Sequence, residues 1–138
     1  MLTSYGDIMK ALAFQAFGPP ESLAIVDLPE PATAENEVLI KVACAGINPV
    51  DWKIGAGLIG HYRSAPFPLV TGRDFCGTVV KIGSEVQGFS VGDRVIAALP
   101  GPGGGFAEYV SIDAGYLARV PENLSLAEAA AIPLVSLT

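Results

Sequence analysis

FPLVTGRDFCGTVVKIGSEVQGFSVGDRV, residues Phe67 to Val95, decides the fold of this chain. It reads as strand, turn and strand, with glycine where the backbone must bend or come close to a neighbour. From Phe75 to Ile82 the residues alternate. Phe75, Gly77, Val79 and Lys81 are expected on one face, and Cys76, Thr78, Val80 and Ile82 on the other. Gly83-Ser84 stops that strand, and Gly88 with Gly92-Asp93 brackets the connection to a second one, Arg94 to Leu99. The pattern is that of an antiparallel β-domain.

Working outward, further strands are expected near Lys10 to Gln15, Leu23 to Leu28, Glu37 to Ala45, Ala107 to Ile112 and Tyr116 to Arg119. Asn48-Pro49 places an N-cap residue before a proline at the first helical position, so a short helical turn starts there. Ser125 and Glu128 have capping-box spacing ahead of an alanine-rich run, and Pro133 ends the helix they open. Gly101-Pro-Gly-Gly-Gly105 reads as a surface loop between two strands.

The 138 residues, 51% hydrophobic with 16 Gly and 11 Pro, suit one turn-rich β-domain. A chain of this size buries roughly two thirds of its unfolded surface, enough for a core without staples. A formal charge of −6 supplies no basic stripe, which argues against nucleic-acid binding. Met1 to Met9 carry no positive charge ahead of an apolar run, and Ala11 to Phe17 is too short for a membrane span. The expected location is cytoplasmic, with no membrane partner. Cys44 and Cys76 each sit in an apolar strand pattern. A disulfide is conceivable, but the favoured reading is two small buried hydrophobes.

Gly55-Ala-Gly57-Leu-Ile-Gly60 spells G-x-G-x-x-G, and Asp74 lies near the distance of a ribose-binding acid. That fingerprint must follow a strand and open a helix. Here a helical turn precedes it, and Pro66 and Pro68 forbid the helix, so it reads as a linker.

Several blocks in order resemble the N-terminal, GroES-like domain of the medium-chain dehydrogenase/reductase superfamily. They are Phe17-Gly18-Pro19-Pro20, Glu37 to Lys53, Pro68 to Gly83, Gly92 to Val95, Phe106 to Val110, and the run from Pro121 into the alanines. The resemblance covers Met9 to the last residue. It implies a mainly β fold, a partly open β-barrel with short helices, without the Rossmann domain of the family. The implied division is an N-terminal extension, residues 1–8, expected to be frayed; the GroES-like domain, residues 9–132; and residues 133–138 as the start of a connection to a Rossmann domain. On that reading the chain is a fragment.

Zinc alcohol dehydrogenases of the superfamily carry a Cys where this chain has Asn48, a proton-relay Ser or Thr at Val50, and His-Glu at Arg73-Asp74. Cys44, Cys76 and the lone His61 supply no tetrahedral ligand set, so no zinc is expected. The match resembles the zinc-independent branch typified by quinone oxidoreductases and related enone reductases. NADPH is the implied cofactor, bound only by the full-length protein, and a small quinone or enone is the implied substrate. A homodimer is implied only with the further domain. Crotonyl-type and polyketide-type enoyl reductases match less well, because their active-site Tyr falls where this chain has Leu58-Ile59-Gly60, with Tyr62 displaced.

Asn48 is the candidate catalytic residue, its amide bonding either the nicotinamide ribose or the substrate oxygen. The alternative is that it only caps the turn after it. Thr138 matches a position that contacts the nicotinamide. Trp52, Ile59 and Tyr62 are the candidate substrate-pocket residues, and Asp51 with Arg73 suggests a buried ion pair. A second class stands beside the enzyme: a free-standing GroES-like binding module without chemistry.

Overall fold

Eight strands and three short helices make up residues 7–138, the part of the chain that the computed structural model describes. The strands are β1 (Ile8–Phe14), β2 (Leu23–Pro29), β3 (Glu37–Gly46), β4 (Leu69–Val70), β5 (Asp74–Ile82), β6 (Arg94–Ala98), β7 (Tyr109–Asp113) and β8 (Ala118–Arg119). The helices are α1 (Pro49–Gly55), α2 (Leu126–Ala129) and α3 (Pro133–Leu137). The extension expected over residues 1–8 lies outside the described residues as far as residue 6. Ile8 already opens β1, opposite Pro29.

Two antiparallel sheets carry these strands, in the orders β2-β1-β4 and β7-β3-β5-β6-β8. The segment Phe106 to Glu108 joins them. The Leu12 N–H donates to the Phe106 carbonyl at 2.8 Å, and the Glu108 N–H donates to the Lys10 carbonyl at 3.0 Å. On its other side, the Glu108 carbonyl accepts from the Val42 N–H of β3 at 2.9 Å. The strand expected from Ala107 is therefore a shared bridge up to Glu108, and β7 proper begins at Tyr109.

Alternation builds the main core. Val38 and Ile40 of β3, Phe75 and Val79 of β5, Val95 and Ala97 of β6, and Val110 and Ile112 of β7 all point to one interior. Burying each large member contributes about 1.5–3 kcal/mol before chain entropy is set against it. The far side of β5 is covered as well, because Cys76 packs with Val120, Ala129 and Ala130 under α2. A third cluster, Phe14, Ile54 and Leu69, seats α1 against β1 and β4. A seven-residue helix is marginal alone, so this seat and its cap hold it.

Two sequence expectations change here. Leu39 faces Lys81 but Ile40 faces Val79, so Val80 is an extra residue. That bulge flips the parity of the strand end. Ile82 thereby joins the Phe75 face and packs on the main core, while Lys81 turns outward to solvent. The glycine loop, for its part, folds inward: the Gly104 and Gly105 N–H groups donate to the Gly72 carbonyl at 3.2 and 2.9 Å, and Gly105 is buried. Gly72 has φ +97°, and an added Cβ would lie 2.9 Å from the Phe106 nitrogen, so this contact requires glycine.

Candidate functional site

Asn48 closes the turn between β3 and α1, and its position follows from local rules. It is the N-cap in extended conformation (φ −121°, ψ 152°), with Pro49 at the first helical position. Three residues on, the Asp51 carboxylate reaches back to accept the Asn48 N–H at 2.7 Å. Its other oxygen accepts the Arg73 N–H at 3.0 Å, tying α1 to the entrance of β5. Asp51 is 2% exposed. Burial raises its carboxyl above the ordinary 3.8, the Asn48 and Arg73 N–H groups pull the other way, and the Asp74 charge adds to the rise.

The Asn48 side chain is committed elsewhere. Its amide nitrogen donates to Asp74 at 2.9 Å, and the other Asp74 oxygen accepts the Leu134 N–H of α3 at 2.8 Å. One carboxylate thus links the β3–α1 turn, β5 and α3. Because a carboxylate only accepts, the Asn48 NH₂ must face it, and the amide oxygen is turned toward the Asp51 N–H that completes the capping box.

Arg73 does not pair with Asp51 through its guanidinium, contrary to the sequence expectation. Its backbone carbonyl accepts the Leu99 N–H at 2.6 Å, and its Nε donates to the Leu99 carbonyl at 2.5 Å. Extending the β5–β6 pairing toward Leu99 turns the side chain to β6. Among the described residues the two ion pairs are Lys10–Asp27 and Arg119–Asp93, both largely exposed.

A cleft of about 730 Å³ lies in front of this network. Leu12, Val42, Cys44, Trp52, Thr71 and Phe106 form part of its mostly apolar wall. Such a size and lining suit a small apolar ligand. Ile47 and Asp51 also line it, so Asn48 is flanked by two wall residues without being one itself. Of the three pocket candidates, Trp52 stands at the cleft, 42% exposed. Ile59 and Tyr62 instead pack on the cluster of Phe14, Ile54 and Leu69, because the 3-10 turn Gly60–Tyr62 folds back onto β4. Thr138 is exposed and its hydroxyl bonds the Leu134 carbonyl at 3.2 Å. Asp74, Thr71 and Cys44 were missed as site residues. Thr71 is 1% exposed, and its hydroxyl has no partner.

Among the described residues no three His, Cys, Asp or Glu side chains are grouped to hold a metal ion. The G-x-G-x-x-G string is equally unsuited to a dinucleotide. Gly55 ends α1 with its Cα against the Phe14 ring, and Gly60 opens a 3-10 turn. A pyrophosphate needs N–H groups at a helix start after a strand, and this string offers neither.

Two joined antiparallel sheets, with an apolar cleft beside a capped turn, make up this β-domain. The sequence pattern of the alcohol dehydrogenase GroES-like domain matches residues 34–122, and the chain belongs to that family. It is 38% identical over 135 residues to a chloroplast envelope quinone oxidoreductase homolog of Arabidopsis thaliana, covering 96% of this chain and 41% of the relative. It is 39% identical over 134 residues to an NADPH-dependent alkenal/one oxidoreductase, chloroplastic, of the same plant, covering 91% of this chain and 34% of the relative. The solved quinone oxidoreductase of Coxiella burnetii superposes with a TM-score of 0.91 at 36% identity, covering 96% of this chain and 43% of that one. The chain therefore spans about two fifths or less of the length of these relatives.

Proposed function

We propose that this chain is the substrate-side part of an NADPH-dependent oxidoreductase that reduces small quinones or enones without zinc. The observation that carries this reading is the Asn48–Asp74 bond beside an apolar cleft. Where a zinc enzyme of the superfamily places a thiolate and an imidazole, this chain places an amide held by a carboxylate and an arginine turned to a backbone carbonyl. Oxidising an alcohol calls for a Lewis acid and a proton relay. Reducing an electrophilic alkene or quinone calls for orientation and a dry pocket, with NADPH, when bound, supplying the hydride. The named relatives, a quinone oxidoreductase homolog and an alkenal/one oxidoreductase, support that substrate class.

Within this reading Asn48, Asp51 and Asp74 hold the turn beside the cleft, and Trp52 and Phe106 line the space that the substrate enters. The test is NADPH consumption by the natural protein with a para-quinone, an alkyl enone and a primary alcohol, before and after dialysis against a zinc chelator. Turnover of the quinone or enone, unchanged by the chelator, is expected. Alcohol-dependent turnover, or activity lost to the chelator and restored by zinc, would overturn the reading. No turnover of any substrate would favour a binding module.

A further inference from the structure

Cys44 of β3 and Cys76 of β5 stand directly opposite each other in the antiparallel pair, just past the register slip between Val42 and Cys44. Opposed residues in such a pair have Cα atoms about 4.5–5.5 Å apart. A disulfide bridges about 4.4–6.8 Å. Both side chains are free thiols, and Cys44 packs against the buried cluster that contains Cys76. Sequence spacing hid this pairing, since 32 residues separate the two and only the bulged register aligns them.

The two sulfurs live in different surroundings. Cys44 is half-buried and belongs to the wall of the cleft. Cys76 is fully buried beneath α2, where its thiol donates to the Leu126 carbonyl. We propose that Cys44 and Cys76 form a redox-active dithiol that hydrogen peroxide entering the cleft closes into a reversible cross-strand disulfide. The proposal does not depend on the reductase reading.

The chemistry balances in two steps. The Cys44 sulfur attacks one peroxide oxygen, the O–O bond breaks, and the departing oxygen leaves as water with the thiol proton and one peroxide proton. Cys44 is then a sulfenic acid. The Cys76 sulfur attacks the Cys44 sulfur, the S–O bond breaks, and hydroxide leaves with the Cys76 proton as a second water. Two thiols have lost two electrons and two protons, and the peroxide has been reduced to two waters. The division of roles follows from the environments. Cys76, fully buried beneath α2, is out of the oxidant's reach and acts second, losing its proton as the sulfur–sulfur bond forms. Cys44, at the cleft, meets the oxidant first.

Closing the bond has a structural consequence. Cys76 gives up the S–H that it donates to Leu126, the first residue of α2. The Leu126 carbonyl keeps the Ala130 N–H at 3.0 Å, so the helix survives while one tether to β5 is released.

The test uses the reduced chain and hydrogen peroxide, followed by denaturation, alkylation of free thiols and mass spectrometry. The expected product is a monomer lighter by two hydrogens, with neither cysteine alkylated, a peptide linking residues 44 and 76, and full reversal by dithiothreitol. Cys76→Ala should stop at a sulfenic acid on residue 44, trapped by dimedone, and Cys44→Ala should leave Cys76 reduced. Two alkylated cysteines after peroxide, over-oxidised Cys44 beside a free Cys76, or a disulfide between two copies would each overturn the proposal.

Discussion

The Asn48 amide nitrogen donates to one oxygen of Asp74 at 2.9 Å, while the other oxygen of that carboxylate accepts the Leu134 N–H at 2.8 Å. Asn48 and Asp74 are both buried, and Asp74 is 1% exposed. A carboxylate in that position must keep its donors, since an unpaired buried charge costs several kcal/mol. Asp74→Ala removes the charge but orphans the Asn48 NH₂ and the Leu134 N–H, and should lower stability by about 3 kcal/mol in urea denaturation. In a double-mutant cycle with Asn48→Ala the two changes should couple by about 1–3 kcal/mol. Additive losses would show that the bond contributes nothing.

Trp52 is the chain's single tryptophan and it stands at the cleft, so its emission reports on that space alone. A small apolar para-quinone should quench it with a saturable dependence, and Phe106→Ala in the lining of the same cleft should weaken that binding about tenfold, a change of about 1.4 kcal/mol. NADPH added to this chain should leave the emission free of any saturable change, because among the described residues no helix start follows a strand in a glycine-rich phosphate loop. Saturable micromolar binding of NADPH to these 138 residues would contradict that account.

Gly77 is glycine because β3 passes over it. A Cβ there would lie 2.2 Å from the Lys41 carbonyl oxygen and 2.7 Å from the Ile40 side chain, and the backbone atom cannot swing away. Gly77→Ala should pry β3 from β5 in the middle of the main core, costing about 3 kcal/mol or more. An unchanged urea midpoint would show that the two strands separate freely.

The main sheet was legible because its strands alternate in the sequence itself. Val38 and Ile40, Phe75 and Val79, and Val95 and Ala97 each mark one face without outside information. The two-residue β4 was not legible: Leu69–Val70 is too short to show a period, and only its pairing with Phe14 and Ala13 makes it a strand. The parity of Lys81 and Ile82 was misread for a related reason, since a bulge at Val80 is a property of two strands together. Asn48 and Trp52 stood out through local signals, a cap before proline and a lone large aromatic. Asp74 did not, because its partners lie 26 and 60 residues away and its role exists only once β5, the turn and α3 have met. The Arg73 expectation failed on side-chain direction, which the ladder toward Leu99 sets and charge counting ignores.

Asp51 should oppose the usual acid response of the molecule. Burial, its largest influence, holds the folded-state carboxyl above 3.8. As pH rises the unfolded chain gives up this proton first, so the stability that Asp51 contributes is fully present below about 3.8 and is lost as pH climbs through the folded value. Asp93 and Glu128 behave the other way. The Ser90 N–H and Arg119 lower Asp93 below 3.8, and the Ser125 hydroxyl and N–H lower Glu128 below 4.5. Their contributions are present above those values and fade as pH falls through the lowered ones. Carboxyl carbon titration by NMR should place the Asp51 midpoint above 3.8, and those of Asp93 and Glu128 below 3.8 and 4.5. Asp51→Asn removes the titrating group while keeping one acceptor oxygen for the Asn48 or Arg73 N–H. The stability difference between the native chain and this variant should therefore shift toward the native chain as pH falls through the folded Asp51 value. A difference that is flat with pH, or that shifts toward the variant on acidification, would mean that the N–H groups of Asn48 and Arg73 outweigh burial at this carboxylate.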